Sequence, residues 1–242
     1  MYTIHLELTI EFQSKWHCGS GEGGLALNRA VKRDARNWPH IPASTLRGVV
    51  RESCEKLSRT LDFPHATDPH QTDLTRAGPG AFQPMGKVCS PVDELFGNRY
   101  EGSGLFFRDA RLSAAPENGT LVQSRICRYR KLGTAKRGHL FSTEYAPPQT
   151  FKTTIDGYHY DLICFGDGDL PFAYCLLVAG ILSVDQLGSD KSTGCGRAGI
   201  SIDSALFNDA HVDLIKVFEY LAVAGIYSEL LEETKRPCPA IE

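Results

Sequence analysis

Pro39-His40-Ile41-Pro42-Ala43-Ser44-Thr45-Leu46-Arg47-Gly48-Val49-Val50-Arg51 is the stretch around which the rest of the chain is organised. Its two prolines disfavour helix at the residue before each and hold the entry extended. Ser44 or Thr45 then caps a helix by accepting a hydrogen bond from an unpaired backbone N–H. Beyond the cap, Leu46, Val49, Val50, Cys54 and Leu57 recur at helical spacing, while Arg47 and Arg51, four apart, share a neighbouring stripe. A helix start with free N–H groups, two small hydroxyls and nearby guanidinium groups suits phosphate oxygens. An ordinary amphipathic helix with solvated arginines reads from the same residues.

A second stretch lies far downstream: Gly188-Ser189-Asp190-Lys191-Ser192-Thr193-Gly194-Cys195-Gly196-Arg197-Ala198-Gly199. Its glycines permit positive φ and close backbone approach, so successive N–H groups can form a concavity for an anion. Asp190 stands before Lys191 where a P-loop needs glycine, which disfavours nucleotide hydrolysis. Together the two stretches resemble the RAMP proteins, the repeat-associated RNA-binding proteins of CRISPR effector complexes. That family carries an Ile-Pro-x-Ser-x-Leu helix entry followed by Lys or Arg and Gly, and a glycine-rich loop ending in Gly-x-Gly-Arg. The resemblance implies that Ser44, Thr45, Arg47, Arg51, Lys191, Ser192, Gly194, Gly196 and Arg197 hold guide RNA.

Bulk composition agrees with a folded, water-facing protein: of 242 residues 42% are hydrophobic and 23% charged, enough for a sizeable core. The formal net charge of -3 argues against indiscriminate nucleic-acid binding. Its distribution is uneven, however. From Arg29 to Arg59 eight Lys/Arg face three acids, from Arg125 to Thr143 six face none, and residues 201–242 reverse the balance with eight acids against three bases. Local charge is what a polyanion feels. The N-terminus alternates instead of offering the apolar core of a signal peptide, and no run approaches the roughly 18 apolar residues that span a bilayer. The eight cysteines are scattered without a CxxC pair, which suits reduced thiols and a cytoplasmic location.

Along the chain, residues 2–12 alternate strictly and predict a half-buried strand. The glycine-rich 19–24 matches GxGxxG only formally, because no helix follows directly. His17 beside it is a candidate general base or a core-edge histidine. The basic segment 25–38 resembles the part of type III backbone subunits that carries a target-cleaving aspartate. The matched position here is Asn28, and Asp34 is the alternative if the match shifts by several residues. An amide cannot take a proton from a 2′-hydroxyl as a carboxylate does, so the resemblance implies RNA binding, with Asn28, Lys32, Arg33 and Arg36 in contact, and little or no cleavage. An active endoribonuclease using Asp34 or His17 is the rival reading, and a small-molecule anion-binding protein a third.

Residues 61–88 are rich in His, Pro, Asp and Gly and read as an insertion. Cys54, His65, His70 and Cys89 could supply a structural zinc site, the only cofactor the sequence suggests, although without a CxxC pair solvated histidines and a buried thiol are the plainer reading. Leu95-Phe96-Gly97 and the strand ending at Arg108-Asp109-Ala110 resemble a further family signature, with Asp109 bracing backbone. Two β-like arms around 130–140 predict a projecting hairpin. Gly133-Thr134-Ala135-Lys136 and Gly138-His139-Leu140-Phe141-Ser142-Thr143-Glu144-Tyr145 resemble the family's thumb, in which Arg130, Lys131, Lys136 and Arg137 would neutralise phosphates. Residues 158–164 read as a strand, 170–184 as a buried helix, 198–202 as a strand and 208–235 as a C-terminal helix.

The expected fold is therefore α+β, a ferredoxin-like or RRM-like RAMP fold with a palm, an inserted lid at about 61–103 and a β-hairpin thumb at about 121–151, in one compact unit over 1–242. The partners that the resemblance implies are CRISPR guide RNA, target RNA and other effector subunits, with no membrane.

Overall fold

The computed structural model describes residues 1–21, 27–63, 66, 90–98, 102–116, 118–160, 162, 164 and 170–222. Strand β1 (Tyr2–Phe12) turns Ile4, Leu6, Leu8, Ile10 and Phe12 into the core and leaves the alternate residues outside. Each such side chain gains about 1.5–3 kcal/mol by burial, so a one-residue slip in register would forfeit all of them together. β1 pairs antiparallel along one edge with β6 (Thr150–His159) and along the other with β7 (Ala198–Phe207).

Short strands β2 (Leu105–Phe107) and β3 (Arg111–Leu112) both pair with the outer edge of β6, and β8 (Ala210–His211) pairs with the end of β7. The sheet order is β2-β6-β1-β7-β8. With β2 and β3 taken as one interrupted strand, helix α1 (Ala43–Thr60) and helix α3 (Phe172–Leu182) complete the βαββαβ order of a ferredoxin-like fold. The two helices cross so closely that a Cβ at Gly180 would lie 2.3 Å from the Cys54 sulfur. No helix among the described residues is long and apolar enough to cross a membrane.

Several boundaries differ from expectation, each for a physical reason. α1 begins at Ala43 with Pro42 as its cap residue, and neither Ser44 nor Thr45 caps it. The Asp109 carboxylate reaches in from the β2–β3 connection and accepts the Ala43 N–H at 2.9 Å, placing a negative charge on the positive end of the helix dipole. Strand β6 starts at Thr150 and ends at His159, so it takes in residues expected in the thumb and stops short of the expected 158–164. Thr153 and Gly157 fall among its inward positions, which interrupts the apolar alternation that a sequence reading follows.

Of the span expected as a lid, 61–103, the greater part lies outside the described residues. Within it, helix α2 (Pro91–Phe96) buries Val92, Leu95 and Phe96 in the core, and Phe63 packs edge-on against Phe172 at 4.6 Å. The chain turns at Asn208 and Asp209, both in the left-handed region, and helix α4 runs only from Leu214 to Ala222 within the described residues.

The hairpin that leaves the sheet between β3 and β6 consists of β4 (Leu121–Arg128) and β5 (Ala135–Tyr145). A two-stranded ribbon is marginal in water by itself, so its root must be held. Residues 28–31 lie along β5: Asn28 N–H donates to Ser142 O at 3.0 Å, the Asn28 side-chain oxygen accepts the Ser142 N–H at 2.8 Å, and Glu144 N–H donates to Arg29 O. The Glu144 carboxylate, buried at the same place, accepts from Val31 N–H at 2.9 Å, from Arg33 at 2.6 Å and from the Thr120 hydroxyl. Burial alone would raise its pKa, but these donors outweigh that and hold it below the ordinary value of 4.5.

A carboxyl held low in the folded state contributes stability above its unfolded pKa and loses it as pH falls through the folded value. Glu144→Gln should therefore lower unfolding free energy by about 1.5–3 kcal/mol at pH 7 and flatten its decline below pH ~4.5, as read by urea denaturation across pH. Arg47 donates to Phe96 O at 2.6 Å, at the C-terminal end of α2. Arg47→Ala should cost about 1–3 kcal/mol in the same measurement by leaving that carbonyl unpaired.

Candidate nucleic-acid interface

Three features meet at the end of the sheet where β1 finishes. Ile41 bridges Ala110, and Arg111 stands opposite Lys152, itself opposite Thr9, so α1 starts beside the C-terminal part of β1. The hairpin root joins β1's continuation through the Trp16–Ala146 bridge. The glycine loop follows α3 and returns into β7, with Gly196 N–H bonded to Lys15 O at 2.8 Å and Arg197 N–H to Ser14 Oγ at 2.9 Å.

Two glycines in that loop are required by close approach. Gly188 and Gly196 have φ of 89° and 75°, and a Cβ would sit 2.5 Å from His17 O in the first case and 2.1 Å from Leu187 O in the second. Many of the loop's amides are spent inside the fold: the N–H groups of Ser189, Thr193, Gly194, Cys195, Gly196 and Arg197 all donate to internal acceptors. Its side chains add capacity for an anion: Arg197 and Ser192 are exposed, and Lys191 is half-buried. Glu52 on α1 is held below its usual range by its bond to Lys56, with Lys191 adding to the effect.

Arg47 and Arg51, expected to grip phosphate, each spend donors on carbonyls at the end of α2. Besides the Arg47–Phe96 bond, Arg51 donates to Gly97 O at 3.2 Å and to Glu55 at 2.9 Å. Both cations sit at the negative end of α2's dipole and hold the Leu95-Phe96-Gly97 turn. Arg33 is likewise taken by Glu144 and Thr120. Arg36 lies 4.0 Å over the Trp38 ring and pairs with Asp34, whereas Lys32 makes no ion pair among the described residues. On the hairpin, Arg130, Lys131, Lys136 and Arg137 are exposed and also lack carboxylate partners among the described residues. Leu132 (73% exposed) and Leu140 (61%) accompany them.

The two candidate catalytic side chains face inward. Asp34 accepts from the Trp38 and Arg36 backbone N–H groups, and the Trp38 bond foremost holds its carboxyl below the usual range, which makes it a weak base. His17 is almost wholly buried, donates Nδ1–H to Glu144 O at 2.7 Å, and is pushed down by burial. Cys54 cannot serve as a zinc ligand as placed: its thiol lies in the α1–α3 contact, donates to Leu176 O, and is pushed up strongly by burial. His65, His70 and Cys89 lie outside the described residues. Among the described residues no group of His, Cys, Asp or Glu could hold a metal ion.

A group that sequence reading passed over lies where the hairpin meets the loop. The Asp190 carboxylate accepts the Tyr145 hydroxyl at 2.7 Å and pairs with Arg29 at 3.3 Å and Arg125 at 3.5 Å. Lys15 Nζ stands 4.8 Å above the Tyr145 ring and donates to Gln123, and Arg125 also reaches Thr193. These residues come from five separate places in the chain. The only sequence signals were the basic runs containing Arg29 and Arg125 and the acid inside the glycine loop.

The sequence model of the RAMP superfamily matches residues 9–199. Among solved structures, a chain of the type III-B Cmr-beta complex bound to cognate target RNA superposes with a TM-score of 0.54 at 15% identity, covering 82% of this chain and 96% of that one. A chain of Cmr-beta in its apo state gives a TM-score of 0.53 at 14% identity, covering 82% and 97%. No curated protein sequence matches. The family match runs from within β1 to within β7 and so takes in the helix entry, the hairpin and the glycine loop: the chain belongs to the RAMP superfamily.

Proposed function

We propose that this protein binds CRISPR guide RNA as a backbone-type subunit of a type III interference complex, meeting target RNA and other effector subunits there, in the cytoplasm. The observation that carries the reading is the convergence, at one end of the sheet, of the glycine loop, the hairpin root and cations from remote segments. A chain of net charge -3 binds a polyanion only where its cations are gathered. Arg197, Lys191 and Ser192 of the loop, Lys32 beside it and the hairpin's Arg130, Lys131, Lys136 and Arg137 form the proposed track. Contacts are to sugar and phosphate more than to bases. Exposed Leu132 at the hairpin tip would press on a base plane.

The reading includes no target cleavage. Asn28 stands at the family's aspartate position, its side-chain oxygen is spent on Ser142 N–H, and a carboxamide does not act as a base. The fold of Cmr-beta chains, one of them in a complex bound to target RNA, supports the assignment to this class of assembly.

Binding of single-stranded guide RNA should weaken with salt, and replacing Arg130, Lys131, Lys136 and Arg137 together by alanine should reduce the logarithmic salt slope by about 0.7 for each phosphate they contact. Arg197→Ala should lower it by about one such step. Affinity and slope unchanged in both variants would reject the assignment. Incubation with complementary RNA and magnesium should leave the target intact, and cutting that disappears in Asp34→Ala or His17→Ala would replace the binding role with an enzymatic one.

A further inference from the structure

Lys15, Arg29 and Arg125 approach one another around Tyr145 and Asp190, at the junction of hairpin and loop. Three cations answered by one carboxylate leave an excess of positive charge. Both arginines keep substantial exposure, 42% for Arg29 and 38% for Arg125. Their separations from Asp190, 3.3 and 3.5 Å, are those of loose pairs, so their remaining N–H groups stay available to another acceptor. Asp190 itself is strongly fixed: it sits in the left-handed region at φ 60° between Gly188 and the 3-10 turn Lys191–Thr193, and the buried Tyr145 donates to it at 2.7 Å.

We propose that Lys15, Arg29 and Arg125 form a phosphodiester subsite at the root of the hairpin, and that Asp190 is its positioning residue, orienting both guanidiniums toward the strand without touching it. This rests on the RNA-binding reading above and adds the place at which one backbone phosphate is clamped between hairpin and loop. Asp190 joins Arg29, on the segment laid along β5, to Arg125, on β4, and to Tyr145 at the base of β5. A long arginine side chain surrenders rotamer freedom when it grips a phosphate, and one already held in place surrenders less. The carboxylate remains charged at neutral pH. Burial would raise its pKa, but the Tyr145 hydroxyl and the two arginines outweigh that and hold it low. Tyr145, pushed up to about 12 by burial and by Asp190, remains a donor.

The proposal makes a prediction opposite in sign to simple charge counting. Asp190→Asn keeps the shape and suits the left-handed backbone, since asparagine tolerates that region well. Removing a negative charge beside a phosphate should tighten RNA binding if the carboxylate only repels. If it positions the arginines, binding should weaken by about tenfold although the protein becomes more positive, a change equal to about 1.4 kcal/mol. The salt slope should fall toward the loss of that one phosphate contact, by about 0.7.

The measurement is affinity for a single-stranded RNA of guide length against salt, for the wild type, Asp190→Asn, Arg29→Ala/Arg125→Ala, and all three changes together. The double alanine variant should reproduce the weakening, and Asp190→Asn added to it should change nothing further. Tighter binding by Asp190→Asn, an unchanged slope, or a further loss on the double-alanine background would each overturn the subsite. A wild type that does not bind RNA at all would instead remove the function on which the subsite rests.

Discussion

The structure depends on the pairing of β1 along both edges, with β6 on one side and β7 on the other. One strand with one apolar side thereby fixes the register of two partners that lie about 150 and 200 residues further along the chain. Because both partners begin where β1 ends, everything inserted before β6 and before β7 emerges at the same place. The hairpin precedes β6 and the glycine loop precedes β7. Their meeting follows from the topology of an antiparallel βαββαβ sheet, and neither needs to recognise the other in order to arrive there.

What they do on arrival is set by carboxylates. Three acids organise this end of the molecule, each by accepting from groups remote in sequence. Asp109 caps α1, Glu144 fastens the basic segment to the hairpin, and Asp190 gathers two arginines and a tyrosine. An arginine paired in this way is not lost to an anion when its other N–H groups remain in solvent, since the guanidinium has five donors in a rigid fork. Arg29 and Arg125 meet that condition, whereas Arg47 and Arg51 are turned inward onto the end of α2. Equal charge thus has unequal use, depending on which acceptor lies within reach.

Much of the architecture was legible in the sequence because it depends on local periodicity. The alternation of residues 2–12, the apolar run of α3 and the hairpin signal around Gly133 each depend on neighbours within a few positions. Boundaries failed where a tertiary partner substituted for a local one. Ser44 and Thr45 are good cap residues, but a carboxylate from the other side of the chain reaches the helix end first. The glycine loop was read as a set of free amides, and those of Ser189 and of Thr193 to Arg197 are spent inside the fold. Cys54 was read as either a zinc ligand or a buried thiol, and the crossing of two helices buries it.

The sequence by itself determined the strand and helix pattern, the family resemblance and the unequal spread of charge, because each is a property of residues close in the chain or of ordered motifs. Only the tertiary structure decided which cations face solvent and which brace a helix end. It alone placed Lys15, Arg29, Arg125, Tyr145 and Asp190 in one cluster. The physical reason is that a charged side chain is directed by the nearest opposite charge or carbonyl in space, and that distance is fixed by the register of β1 with its two partners, not by spacing along the chain.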